Sequence, residues 1–210
     1  MQLITLFFSN PILFFALVIP LLYSIIAHEV AHGVVALFFG DDTARRYGRL
    51  TLNPLSHLDP MGTLMLFLVG FGWARPVPVD FGRLRGGRVG FICVALAGIV
   101  TNILLATVSV MLLQMPGIGD NPFLTLVLSV FIRINIILGA FNLIPVPPLD
   151  GSKVLLGILP PEGQRSLIKL EPYGFFIIVL LLFSGLLEPV INLIQNLILI
   201  LIFFLLHFAR

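Results

Sequence analysis

His28-Glu29-Val30-Ala31-His32 sets two imidazoles four residues apart with a carboxylate beside the first. On a helix, positions i and i+4 share one face, so both rings project into the same small volume at metal-binding distance. That is the geometry of a zinc site. Catalytic zinc takes three protein ligands and keeps a position open for water, so a third ligand must come from elsewhere in the chain. Asp150 is a candidate. It follows Asn142-Leu143-Ile144-Pro145-Val146-Pro147-Pro148-Leu149, where three prolines forbid regular helix and free backbone groups that hydrocarbon alone cannot satisfy. Such a segment must line protein or water. Glu162 and Glu171 are the alternatives, since a glutamate serves as third ligand in many soluble zinc enzymes of this motif.

The elements that position these residues must lie in lipid. Of 210 residues, 59% are hydrophobic and 10% charged, against about 25% charged in an ordinary soluble domain. With 19 Phe and a mean hydropathy of +1.11, polar surface is too scarce for a water-exposed fold. The lone Cys93 excludes a disulfide framework and a cysteine-rich zinc ribbon. The net charge of +2 comes from short loops and forms no patch for nucleic acid, so no nucleic-acid partner is expected.

Apolar segments run from 11 to 39, 61 to 73, 89 to 115, 122 to 144, 173 to 187 and 189 to 208. Asn10-Pro11, Asp59-Pro60, Asn121-Pro122, Glu171-Pro172 and Glu188-Pro189 place proline where a first helical turn needs no N–H donor. One helix over 173 to 208 would be about 54 Å long against a hydrocarbon core of ~30 Å, so Gly185 to Pro189 should break it into a hairpin. The segment 61 to 73 is too short to span and reads as re-entrant or interfacial. The expected fold is an all-α integral membrane protein over 1 to 210, with about five transmembrane helices, this short segment, and a small β-hairpin near the site as the one departure from helix.

Basic residues cluster at 40 to 60, 74 to 88 and 151 to 170 and at the terminal Arg210, so these regions are expected to face the cytoplasm and the amino terminus the outside. His28 and His32 then fall in the cytoplasmic half of the first span, at a depth similar to that of Asp150. Intramembrane His and Glu are costly unless they face a cavity, which makes a buried site the default reading. The leading apolar stretch has no basic flank or cleavage site, so no removable signal peptide is expected.

With His28 to His32 on one span and Asn142-x-x-Pro145-x-Pro147-x-Leu149-Asp150-Gly151 following a later one, the chain resembles the site-2 protease family of intramembrane zinc metalloproteases. Gly98-x-x-x-Asn102 and Gly72-Trp73-Ala74-Arg75-Pro76-Val77-Pro78-Val79 extend the resemblance. Ile99 departs from it, since many relatives have proline there. The resemblance implies His28, His32 and Asp150 as ligands to one Zn2+, Glu29 as general base, and Asn142 as a hydrogen-bond donor to substrate. It also implies a transmembrane protein substrate in the bilayer of a prokaryotic plasma membrane. No PDZ or CBS domain is expected within the chain. Val77 to Phe81 is the candidate edge for holding an unwound substrate.

Other polar residues have simpler readings. Asp59 caps the helix at Pro60. His57 is an interfacial or structural side chain, with gating of the site or inhibitory ligation as alternatives. Asn102 bridges helices or contacts substrate. Arg133, near the middle of its span, pairs with an acid or carbonyls inside the bundle. Trp73 and His207 suit the interface, Phe203, Phe204 and Phe208 the lipid, and Cys93 is filler. A metal transporter, or a metal-binding membrane protein without proteolysis, would explain intramembrane polarity but not a glutamate set between two ligands.

Overall fold

Proline and a capping side chain begin the helices at Pro11, Pro60 and Pro122 where the sequence places them, whereas the last helix starts at Leu187, two residues ahead of Pro189. Asn10 Oδ1 accepts the Leu13 N–H at 3.1 Å ahead of Pro11, and Asn121 Oδ1 accepts those of Phe123 and Leu124 ahead of Pro122. Asp59 Oδ1 accepts the Gly62 N–H at 2.7 Å, the cap expected of it. The computed structural model describes residues 3–69 and 72–208. Among them the helices are α1 (Leu3–Ser9), α2 (Pro11–Phe38), α3 (Thr43–Arg46), α4 (Pro60–Val69), α5 (Gly87–Leu113), α6 (Pro122–Asn142), α7 (Asp150–Ile158), α8 (Pro161–Leu170), α9 (Gly174–Phe183) and α10 (Leu187–Phe208). Five stretches are long and apolar enough to cross a membrane: α2, α5, α6, the run Pro161–Phe183 and α10. The chain is an all-α, multi-pass membrane protein. Helix α4, with 10 residues, is about 15 Å long and too short to cross. Residues 70 and 71 of that apolar segment, and Arg210, lie outside the described residues.

Helix α5 lies at the centre, packed on α2, α6 and α7. Ala106 on α5, Ile136 and Ala140 on α6, and Ile198 and Ile202 on α10 form one buried cluster. A second, of Ile144, Leu149, Ile178 and Leu187, clamps the proline-rich segment against α9 and α10. This clamp aims α7. Gly151 permits it, because a Cβ there would lie 2.3 Å from the Leu143 carbonyl oxygen. At Gly185 the backbone has φ +74°, a left-handed conformation that suits glycine, and the expected break between the last two spans falls there.

Three expectations need correction. The stretch 151 to 170 is not loop: it forms α7 and α8, and a 3-10 turn over Glu171–Tyr173 joins α8 to α9. With 10 residues, α9 reaches about 15 Å, so this span draws on α8 and starts well before 173. The β-hairpin does not form among the described residues. Residues 75 to 80 lack strand pairing, Leu58 and Ala74 make a single antiparallel bridge, and Phe81–Arg83 is a 3-10 turn. Pro76 and Pro78 remove alternate donors and so forbid a continuous ladder. Finally, Arg133 is exposed rather than inside the bundle. Asn135, two residues on and therefore about 200° around the helix, takes the inward face.

Candidate metal centre

Ser24, His28 and His32 recur every four residues on α2 and are buried on one face, the two rings against α5 and Ser24 against Asn135 of α6. His28 Nε2 lies 2.9 Å from Asp150 Oδ2, His32 Nε2 3.0 Å from the same oxygen, and the two Nε2 atoms 3.1 Å from each other. His28, His32 and Asp150 are 5%, 8% and 5% exposed. Each ring is fixed from behind. The His28 Nδ1–H donates to Asn102 Oδ1 at 2.6 Å and the His32 Nδ1–H to the Val94 carbonyl at 2.7 Å, both on α5. Gly98, one turn before Asn102, leaves the room His28 occupies: a Cβ there would stand 2.4 Å from His28 Nε2.

This donor set fits a divalent cation. With both Nδ1 atoms donating, both Nε2 atoms turn lone pairs toward a carboxylate oxygen, and three such acceptors about 3 Å apart repel unless positive charge sits among them. Tetrahedral zinc with bonds of about 2.0–2.1 Å sets its ligands about 3.3 Å apart, close to the separations found. Lys153 Nζ donates to the other oxygen, Asp150 Oδ1, at 3.0 Å and holds the carboxylate in place.

A cleft of about 280 Å³ opens onto these donors. Glu29, Asn142, Pro148 and Lys153 line it with the ligand trio, and Pro76, Val77, Val79 and Phe81 form its other wall. The Val77 N–H donates to Glu29 Oε2 at 3.0 Å, so the wall hangs on the carboxylate beside the donors and leaves Oε1 free of that bond. The far end of the wall is tied at Asp41. That side chain is fully buried and accepts the Asp80 N–H at 2.8 Å, the Thr43 N–H at 3.0 Å and the Thr43 hydroxyl. Burial pushes the Asp41 carboxyl up, but the Thr43 hydroxyl, the two amides and the Arg83 charge outweigh it and hold it below the ordinary range. Asn142 Nδ2 donates one hydrogen to the Leu138 carbonyl at 3.0 Å and keeps a second.

Asn102 is a fully buried interhelical hydrogen-bonding residue outside the cleft lining. His57 does not line the cleft either. It is fully buried, and its Nε2–H donates to the Thr51 carbonyl at 2.8 Å while its own carbonyl accepts the Arg75 N–H, which pins the turn before α4. Glu162 and Glu171 are exposed and outside the ligand cluster. Sequence reasoning missed Lys153, three residues from Asp150 and so on its helix face, and Ser24, four before His28. It also missed Asn135, whose only signal was a polar residue inside an apolar span.

Residues 120–185 match the model of peptidase family M50. Over 187 residues the chain is 40% identical to YwhC of Bacillus subtilis, a protein named as a zinc metalloprotease, covering 84% of this chain and 85% of the relative. It is 33% identical to Rip2 of Mycolicibacterium smegmatis, also named as a zinc metalloprotease, over 78% of this chain and 64% of that one. A zinc metalloprotease of Methanocaldococcus jannaschii is 29% identical over 96% of this chain and 50% of its own length. No solved structure matches the chain.

Proposed function

The chain belongs to peptidase family M50 and is a zinc metalloprotease, and from that premise we propose that it is an intramembrane endopeptidase cutting peptide bonds within or near transmembrane segments. One observation carries this reading: His28, His32 and Asp150 converge at a cleft bearing Glu29, and all but Asp150 stand on a helix apolar enough to cross a membrane. His28 Nε2, His32 Nε2 and Asp150 Oδ2 would hold one zinc ion per chain. When bound, zinc supplies Lewis acidity toward the scissile carbonyl and makes water a nucleophile near neutral pH.

The remaining steps fall to side chains. Glu29, with Oε2 held by Val77, takes the proton of the attacking water on Oε1 and returns it to the leaving amine. The second N–H of Asn142 donates to the oxyanion that forms at the substrate carbonyl. A substrate helix hides its peptide bonds in its own hydrogen bonding, so it must unwind before it enters. The carbonyls of 76 to 79 and the Val79 N–H, outside any strand pairing along the cleft wall, support a role in holding the extended segment, while the Val77 N–H is already taken by Glu29. The basic regions support an opening toward the cytoplasm and an amino terminus outside, and the family resemblance supports a prokaryotic plasma membrane.

The test is release of a labelled peptide from a single-span substrate in proteoliposomes, with metal analysis of the purified chain. One zinc per chain and cleavage lost in Glu29→Gln are expected. Cleavage by Glu29→Gln at the native rate, or a native chain that takes up no zinc, would overturn the reading.

A further inference from the structure

Behind the metal centre, polar side chains form one buried chain across three helices. Asn102 on α5, Asn135 on α6 and Ser24 on α2 are each fully buried. Asn102 Nδ2 donates to Asn135 Oδ1 at 2.8 Å, and Asn135 Nδ2 donates to Ser24 Oγ and to the Phe131 carbonyl, both at 2.8 Å. At the other end, Asn102 Oδ1 accepts the His28 Nδ1–H. Buried amides of this kind cost stability unless every bond is made, so each orientation depends on the next.

The direction of that chain has a chemical consequence. The Phe131 carbonyl can only accept, which obliges Asn135 to present its NH2 there and its oxygen to Asn102. The Ser24 hydroxyl both donates and accepts, so it supports this order without imposing it. Asn102 must then present its NH2 to Asn135 and its oxygen to His28. A reversed Asn102 would set two oxygens against each other at the Asn135 contact. It would also turn an N–H toward His28 Nδ1, which would have to accept, and move the ring proton to Nε2, where a metal must bind.

We infer that Asn135, acting through the amide of Asn102 and anchored on the Phe131 carbonyl, is a positioning residue that holds His28 in its metal-binding tautomer. The inference rests on the zinc-site reading above and adds a remote determinant to it. Asn135 touches neither cleft nor ligand. It works by leaving Asn102 a single acceptable orientation.

The experiment measures zinc affinity of the full chain in detergent micelles by competition with a chromophoric chelator, with thermal unfolding as a check on folding. Asn135→Leu removes the partner of Asn102 Nδ2 and should weaken zinc binding about 10- to 100-fold, the usual effect of losing a group behind a ligand. Asn135→Ser, small and able to bond back to the Phe131 carbonyl, should do the same and serves if the leucine variant does not fold. Asn102→Asp presents an oxygen to His28 in either orientation. As the buried neutral acid it donates its O–H to Asn135 Oδ1, where the native NH2 did, so no two lone pairs meet there, and it should bind zinc within about threefold of the native chain. Combined with either change at 135, it should restore binding to its own level, which a loss of packing would not permit. Thr107→Ala, which deletes a buried hydroxyl bonded only within α5, should leave affinity unchanged. Native affinity in both folded 135 variants, failed rescue by Asn102→Asp, or loss of zinc in Asn102→Asp alone overturns the inference. A native chain that binds no zinc overturns the zinc-site reading along with it.

Discussion

Gly98→Ala tests how tightly the helices set the metal centre. The added methyl would lie 2.4 Å from Cε1 and Nε2 of His28 and 2.6 Å from Cδ2. Carbon contacts become favourable only near ~3.5 Å, so the ring must retreat by about 1 Å or α2 must part from α5 by as much. The ring cannot retreat freely, because Asn102 holds Nδ1 at 2.6 Å and the Nε2 atom sits 2.9 Å from Asp150. Metal sites keep their distances within about 0.2 Å, so a displacement of ~1 Å takes His28 out of the ligand set. We expect zinc affinity to fall by about 100-fold, the upper end of the effect of disturbing the shell behind a ligand. Overpacking should also cost about 1–3 kcal/mol of stability. Chelator competition and thermal unfolding measure the two. Gly139→Ala is the control, since a Cβ there meets its nearest neighbour, Ile198 Cδ1, at an ordinary 3.6 Å. Native zinc affinity in Gly98→Ala would refute the claim that helix spacing places the ligand.

Four further outcomes are expected. Glu29→Gln keeps an oxygen for the Val77 N–H, so it should hold zinc while peptide release falls at least about 100-fold, the lower end for loss of a general base; equal loss of metal would count against that role. Asp150→Ala should lose tightly held zinc, and stoichiometric metal in the purified variant would remove Asp150 from the ligand set. Because the folded Asp41 carboxyl lies below its ordinary value of about 3.9, its tie to residue 80 stabilises the fold above that pH and is lost as pH falls through the lower folded value. Asp41→Ala should accordingly cost roughly 2–3 kcal/mol near neutral pH and flatten the acid limb of a stability profile measured by unfolding at graded pH. Arg133→Leu should favour membrane insertion by about 3 kcal/mol in a translocation assay, because an exposed arginine near mid-span gives way to an apolar side chain; unchanged insertion would place Arg133 against a partner group.

What could be read from the residues was local chemistry and punctuation. His28, Glu29 and His32 declare themselves because one helix turn brings them together, and Asp150 because three prolines before it make the backbone irregular. Pro11, Pro60, Pro122 and Gly185 mark ends that the structure keeps. Inward faces were less legible. A helix apolar all round carries no periodic stripe to orient it, so nothing local to α6 shows that Arg133 faces outward and Asn135 inward. The bond between Asn102 and Asn135 joins positions 33 residues apart, a relation set by packing α5 on α6 and by nothing local. The hairpin failed for a readable reason, the donors missing at Pro76 and Pro78, which apolar alternation around Val77 and Val79 obscured.

The wall over the cleft hangs from the Glu29 carboxylate through the Val77 amide. In the proposed mechanism the proton carrier and the surface that meets an incoming chain would therefore be one mechanical unit, and a push on either would be felt by the other. Alanine at position 29 would cut both connections in a single stroke, whereas glutamine keeps the suspension and deletes only the basicity.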